Sequence, residues 1–449
     1  MPVNNSSDSQ SINARSSASE LRPSRRQAIQ STAAAAAVGY WMGTRPSESR
    51  AAANDIMNVA CIGIGGRGRD NLNGISREKV NIVALCDVDD QRAGDAYTKF
   101  PKAKKYYDWR KMYDDISGEF DAVVVSTPDH THFHPSMGAM QLGKHLYCEK
   151  PMAHCVSEVR QMTELAAKQK VATQLGVQRH TIENMHRVVE LIQAGAIGPV
   201  TEVHSWVGGD RGMASPPKGE EQAPPSLKWD LWLGPAAERP YSRAYCPYGW
   251  RFWWDFGTGE TGNWGCHILD IPFWALGLKY PTRVEGSGPE VDPERMPKAM
   301  ATRFEFPAEG SRPAVSLHWY HAKNGPEILK RHGLSDKGAN TLFIGEKGML
   351  LCGFTMRKLL PEDQYKGYVA PAETIPDSPG FYREWVTACH GGPAATCDFA
   401  YSGPLSETVL LGNVGYRSGG FDWNAASLTA DGNAKAQALI VDEYRQGWA

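Results

Sequence analysis

The sequence predicts an α/β fold whose N-terminal part is a parallel, doubly wound sheet. Three observations predict it. A glycine-rich Gly63-Ile64-Gly65-Gly66-Arg67-Gly68 run follows a short apolar stretch. An acidic residue, Asp87, stands 19 positions after Gly68 at the end of a second apolar run. Short apolar runs then alternate with helical stretches, as they do in sheets covered by helices on both faces.

Taken in order, Met57–Ile62 is the first strand and Val80–Cys86 the second. Asp121–Ser126 and His145–Glu149 read as further strands, with helices at Thr131–Leu142 and Val156–Gln169 and a sixth strand at Val171–Gly176. G-x-G-x-x-G between a strand and a helix suits a dinucleotide. Gly63 permits the tight turn, Gly65 lets a pyrophosphate approach, and Gly68 lets helix and strand pack closely. Gly66 and Arg67 complete the cradle at the helix start, where free amides attract phosphate. Asp87 is placed to bind a ribose hydroxyl and to repel a 2′-phosphate, so NAD is expected over NADP, with Arg67, Arg69 and Arg92 weighing the other way. Ligands of such sheets lie beyond the carboxyl ends of the strands. Those ends are Gly63, Asp87, Thr127-Pro128-Asp129-His130 and Glu149-Lys150-Pro151.

Composition narrows the function classes. The 449 residues carry 48 Lys+Arg and 50 Asp+Glu, a net charge of −2, which argues against a nucleic-acid-coating protein. With 41% apolar and 22% charged residues the chain is an ordinary globular one. The longest apolar run, Ala33–Gly43, is too short to span a bilayer. Nine cysteines include no C-x-x-C pair, so neither a disulfide framework nor a zinc ribbon is expected. Residues 1–53 read as a leader: Ser24-Arg25-Arg26-Gln27, then Ala33–Gly43, then Ala51-Ala52-Ala53. The arginine pair resembles a twin-arginine export signal, although Ala28 stands where a large apolar residue is common. The expected organisation is an export leader (1–53), a Rossmann NAD-binding domain (55–176) and a substrate and oligomerisation domain (177–449).

Thr127-Pro128-Asp129-His130-Thr131-His132, Gly143-Lys144-His145 and above all Glu149-Lys150-Pro151 resemble the glucose–fructose oxidoreductase/inositol dehydrogenase (Gfo/Idh/MocA) family. Gly195-Ala196-Ile197-Gly198-Pro199-Val200 is similar to the run that opens that family's second domain. The resemblance implies a C-terminal α+β domain with an open, mostly antiparallel sheet, a homodimer or homotetramer, and a carbohydrate substrate. It gives Glu149 contacts to the cofactor and gives Lys150 a substrate hydroxyl, where its ammonium would stabilise a developing alkoxide. The plain alternative for Lys150 is a surface lysine at a strand end.

A second candidate centre lies in Gly257–Asp270. Cys266–Leu278 reads as a helix, so Asn263 and His267 bracket its start at i and i+4, on one face. Many family members have Asp-x-x-x-His here, with the histidine as base. Asn263 cannot take a proton, so His267 is the candidate general base and Asn263 a group that orients a hydroxyl. A helix-start histidine satisfied by backbone is the plain alternative for His267. Asp270 either orients His267 or caps a neighbour. His130 reads as a cofactor-side contact and His132 as helix packing; His130, His132 and His134 share no ligand-bearing face, and no metal is assigned. Arg179 and His180 follow the sixth strand and either touch substrate or serve as linker.

Seven of the chain's 14 tryptophans fall between Trp229 and Trp274. Most of these rings suit a core or an interface, while one or two suit the faces of sugars, with Trp250 and Trp264 nearest the motif. Phe381–His390 and Ser406–Tyr416 read as late helices, the second capped by Ser406. The expected function is transfer of hydride between a sugar or polyol hydroxyl and a tightly bound NAD, since an exported enzyme meets no free pool. An NAD-dependent glycosidase using transient oxidation is the alternative, and a non-catalytic sugar-binding protein the third reading.

Overall fold

The computed structural model describes residues 56–449 apart from 220, 323, 324 and 449, and the expected export leader lies outside the described residues. Six strands, β1 (Asn58–Ile62), β2 (Asn81–Cys86), β3 (Lys104–Tyr106), β4 (Ala122–Val125), β5 (His145–Cys148) and β6 (Thr173–Leu175), form an all-parallel sheet ordered β3-β2-β1-β4-β5-β6. Helices α1 (Arg67–Ile75), α2 (Asp90–Lys99), α3 (Trp109–Ile116), α4 (Phe133–Gln141) and α5 (Val156–Gln169) connect them. The strand order reverses between β1 and β4, and the crevice past their carboxyl ends is where such sheets bind ligands. The central strands are apolar because both faces are covered: Ala122–Val125 is buried throughout. Edge strand β3 reads Lys-Lys-Tyr with both lysines exposed, so it leaves no apolar run in the sequence. The helix expected at Thr131 begins as a 3₁₀ turn, Asp129–Thr131, and becomes α-helical only at Phe133.

After α6 (Glu183–Gln193) come β7 (Val200–Gly208), α7 (Trp229–Leu233), α8 (Gly259–Ile268), α9 (Asp270–Leu276), β8 (Arg283–Ser287), β9 (Met300–Phe306) and β10 (Val315–Ala322). They are followed by α10 (Glu327–Arg331), β11 (Thr341–Gly345), β12 (Met349–Cys352), β13 (Arg357–Leu360), α11 (Phe381–Cys389), α12 (Phe399–Ser418), β14 (Phe421–Asn424) and β15 (Thr429–Asp431). The nine strands order as β13-β12-β11-β7-β10-β9-β8-β14-β15, antiparallel except for the β7–β10 pair. Strands β9 and β10 alternate buried with less buried residues, so one face is packed. Phe304, Leu317 and Trp319 lie on that face, and Trp319 Nε1 donates to Thr261 Oγ1 of α8 at 3.2 Å.

Two further helix starts differ from the sequence reading. Helix α8 starts at Gly259, seven residues before the expected Cys266, and ends before α9 instead of running to Leu278. Its glycines have low helix propensity, but they let it pack closely on neighbours: a Cβ on Gly265 would touch Val409 of α12 at 3.4 Å. Pro272 lacks the N–H that would carry α8 through into α9. Helix α12 starts at Phe399, where Asp398 caps it by accepting from Tyr401 N at 2.9 Å. Ser406 is therefore a buried interior residue and not a cap, and Pro404 inside the helix is what hides the earlier start.

The two sheets share their edges with the chain's last third. Cys397 O accepts from Leu175 N at 2.9 Å, and Thr173 Oγ1 accepts from Phe399 N at 3.0 Å. Arg160 of α5 makes a two-pronged bond to Glu407 of α12, both contacts at 2.8 Å.

Candidate active site

The carboxyl ends of β1, β2, β4 and β5 open into a cavity of about 740 Å³, closed on its far side by α8 and by the segment between β7 and α8. Its floor is the glycine loop. Gly63 has φ 74°, and a Cβ there would stand 2.8 Å from the Ser126 carbonyl carbon. A Cβ on Gly68 would stand 1.8 Å from Gly63 O, so the loop closes only with glycine at both ends. No side chain among the described residues caps α1; Gly68 N and Arg69 N donate to Gly65 O and Gly66 O, which leaves the Gly66 and Arg67 amides, at the cavity wall, for an anion.

Asp87 lines the same floor. Its carboxylate accepts from Ile64 N at 2.8 Å, Gly65 N at 3.1 Å and Asp89 N at 3.0 Å. Burial pushes its pKa up against the pull of those amides. It therefore shapes the phosphate loop as well as bordering the ribose position. Asp87→Ala is expected to weaken NAD binding by about 1–3 kcal/mol, one charged hydrogen-bonding group being lost. Calorimetric titration of NAD measures this, and unchanged affinity would take Asp87 out of the cofactor site.

Glu149, 5% exposed, is held from three sides. Its Oε1 accepts from Gln178 Nε2 at 2.7 Å, Asn71 Nδ2 at 3.0 Å and Arg67 Nε at 3.4 Å. Lys150 extends the other way: its Nζ donates to Asn263 O at 2.8 Å and Asn263 Oδ1 at 3.2 Å. His267, one turn further along α8, lines the cavity and is 8% exposed. Its Nδ1 has no hydrogen-bond partner among the described residues. Burial first, then Lys150, Arg179 and Arg67, depress its pKa well below 6.5. The site thus sets an ammonium and a neutral imidazole side by side, the first able to hold an oxyanion and the second able to accept a proton.

Residues 57–177 match a family model described as an oxidoreductase family, NAD-binding Rossmann fold. Residues 203–305 match the companion model, the C-terminal alpha/beta domain of the oxidoreductase family. The chain belongs to the Gfo/Idh/MocA oxidoreductase family. Inositol 2-dehydrogenase of Salmonella typhimurium is 27% identical over 152 residues, 33% of this chain and 45% of that enzyme. The match therefore spans less than half of that curated relative. The solved WlbA dehydrogenase of Bordetella pertussis, in complex with NADH and UDP-GlcNAcA, has a TM-score of 0.60 at 16% identity. That likeness covers 82% of this chain and 99% of the other. A levoglucosan dehydrogenase in complex with NADH and L-sorbose has a TM-score of 0.56 at 16% identity, over 82% of this chain and 99% of its own. At such identities these likenesses concern the fold.

In this Gfo/Idh/MocA oxidoreductase the structure brings most of the expected site residues to one cavity: Gly63, Gly65, Gly66, Arg67, Asp87, Thr127, Pro128, Asp129, Glu149, Lys150, Arg179, Asn263, Trp264 and His267. Gly68 lies behind the loop, packed against Gly63 O, and His130 is the other exception. It is 3% exposed and turned away, its ring nitrogens bonded to Phe256 O at 3.2 Å and Trp232 O at 3.1 Å. It anchors the crossing segment, and the expectation of a cofactor-side contact is corrected. His132 does line the cavity, with its ring between Pro151 O and Thr127 O at 2.8 Å each, joining two strand ends.

Asp270 orients His180 and not His267. It is bonded to His180 Nδ1 at 2.9 Å and accepts from Tyr401 OH at 2.6 Å. His180 stacks on Trp274, centroids 4.0 Å apart, and is 2% exposed, so Arg179 reaches the cavity and its neighbour does not.

Trp250 and Trp264 line the cavity; Trp250 also belongs, with Trp232, Trp253, Tyr241, Tyr245 and Phe256, to an apolar cluster in the crossing segment, of which Trp232 too reaches the cavity wall. That segment reaches the Rossmann half: Lys228 N donates to Val88 O at 2.8 Å, and Asp90 N to Ser226 O at 3.1 Å. Leu227, Leu231, Trp232 and Trp448 thereby roof the end of the cavity beside Val88 and Tyr107. Three contributors had no signature in the sequence. Asn71 and Gln178 act by holding Glu149, and Thr258 donates to Asp129 Oδ2 across the junction at 2.5 Å.

Proposed function

We propose that the protein oxidises or reduces a sugar- or polyol-type hydroxyl with NAD held in this cavity. The observation that carries the reading is Lys150 reaching across the junction to Asn263, with the unpartnered neutral His267 one helical turn away. The glycine loop, the uncapped α1 amides and Asp87 fit a dinucleotide. When bound, the nicotinamide supplies a hydride acceptor or donor. Lys150 holds the substrate oxygen and offsets its growing negative charge. His267 takes the hydroxyl proton, and Asn263 fixes the direction of the Lys150 ammonium. Trp250 and Trp264 offer flat apolar faces to the C–H side of a sugar. The roof over the Val88 end supports slow cofactor release.

Export through the Arg25-Arg26 signal is part of this proposal, and fractionation of cells making the Arg25→Lys/Arg26→Lys form tests it. The function itself is tested on purified protein. NAD(H) is expected to survive gel filtration, identified by mass spectrometry, and a sugar panel is expected to change its absorbance. Folded protein that neither carries nor binds NAD would overturn the reading. Release of an aglycone from a glycoside with no net change in the cofactor would point to the transient-oxidation alternative.

A further inference from the structure

Arg179 stands at the reacting end of the cavity without an anion to answer it. Its guanidinium lies over two rings, 4.3 Å from the Phe354 centroid and 5.3 Å from that of Trp264. The Phe354 turn is itself tied down: Asn184 Nδ2 donates to Gly353 O at 2.8 Å and Met356 O at 3.1 Å. Arg357 in turn donates to Asn184 Oδ1 at 2.8 Å. Stacking on aromatic faces orients a guanidinium while leaving its N–H edge to bind a ligand. No carboxylate among the described residues pairs with it. Burial, then Arg67, hold its pKa below the ordinary arginine value.

Several other charges of the cavity are engaged, while Arg251, stacked over Trp250 and Tyr248, bonds the Tyr248 carbonyl at 3.3 Å. Arg67 contacts Glu149 and Asp70, Glu149 is held by Asn71 and Gln178, and Arg211 bonds Glu260 and Tyr248. Among the described residues the Lys150 ammonium bonds only the neutral Asn263. The surroundings of His267 therefore carry an excess of positive charge. A half-buried guanidinium with open donors is costly unless a ligand satisfies them.

We propose that the substrate is a carboxylated sugar, a uronate or aldonate, whose carboxylate takes the free edge of Arg179 while one hydroxyl meets Lys150 and His267. This deepens the hydride-transfer reading and rests on it. A planar carboxylate matches one guanidinium fork with two parallel hydrogen bonds. A phosphate ester, with a charge of roughly −1.5 to −2, is the competing anion and enters the test as its own arm.

The test is calorimetric binding to the NADH-loaded protein. D-glucuronate, D-galacturonate and D-gluconate are each set against D-glucose, D-galactose and D-glucitol, with D-glucose 6-phosphate as a further arm. At least one acid is expected to bind about 10- to 100-fold more tightly than its neutral counterpart. Arg179→Gln is expected to bring that ratio near one, and Arg179→Lys to restore part of it, since an ammonium keeps the charge but not the fork. Equal affinity within all three pairs overturns the proposal. So does tighter binding of the phosphate than of every acid, and so does a preference that survives Arg179→Gln. Neutral sugars oxidised as efficiently as acids would remove this inference and leave hydride transfer standing. An acid bound through Arg179 but never oxidised would do the reverse.

Discussion

Replacing His267 by alanine should slow single-turnover sugar oxidation by about 10²- to 10⁴-fold while fold and cofactor are retained. In the proposed step the imidazole at the cavity wall accepts the proton, and it forms no part of the phosphate loop. Lys150→Ala should give a loss of similar size by removing the charge beside the developing alkoxide. The double variant should fall short of the product of the two losses, because both groups serve one step. The pH profile carries a second signature. Burial and neighbouring cations lower the His267 pKa, so its neutral form persists well below pH 6.5. The acid-side fall in kcat/KM should accordingly lie below pH 6.5, where an exposed histidine would place it near that value. A His267→Ala enzyme with a near-normal rate would transfer the role elsewhere. His180 is a poor heir, since Asp270 and Trp274 lock it in the core.

Arg160→Ala should destabilise the protein by about 3–5 kcal/mol in urea unfolding, because it strands a buried carboxylate. Glu407 is fully buried, and Arg160 is its two-pronged partner, also donating to Ala425 O at 2.8 Å. The pair joins α5 of the parallel half to α12 of the antiparallel half. Burial already raises the Glu407 pKa above 4.5, with Arg160 pulling it back. Without Arg160 the upward shift grows, so the folded protein binds the proton more tightly than the unfolded chain does. The penalty is then absent below about pH 4.5, the unfolded glutamate value, and grows as pH rises towards the folded one. Urea midpoints of wild type and variant should therefore converge as the medium is acidified. Arg160→Met with Glu407→Leu should recover most of the loss, since no buried charge is left unpaired. An Arg160→Ala midpoint equal to wild type at neutral pH would show that water reaches Glu407.

The parallel sheet was legible because its central strands are buried on both faces and so appear as apolar runs, as at Ala122–Val125. The positions of Asp87, Glu149 and Lys150 were legible for a related reason: each ends one of those runs, where the fold puts its ligand. Their partners were not. Asn71 matters because it meets Glu149 across 78 residues of sequence, and no local pattern encodes that pairing. His130 misled because its ring turns away from the cavity to hold two carbonyls of a segment 102 and 126 residues further on. Helix α8 was placed late because glycine reads as a helix breaker, although at Gly265 it serves close packing. The tryptophan-rich stretch announced burial but could not say which rings face ligand; Trp253 and Trp264 lie a few turns apart and end in different surroundings.

The strand edge completed by Thr173–Leu175 and the 397–399 turn bears on how the chain becomes a protein. The first sheet's last edge is occupied by residues made more than 200 positions later. A ribosome releasing the N-terminal half exposes an unpaired edge, the kind of surface that recruits other chains. A fragment cut at residue 176 should likewise be sticky, whatever its sequence suggests about a boundary there. Maturation of the first half is thus tied to delivery of the last third, and the nucleotide crevice is born late in synthesis.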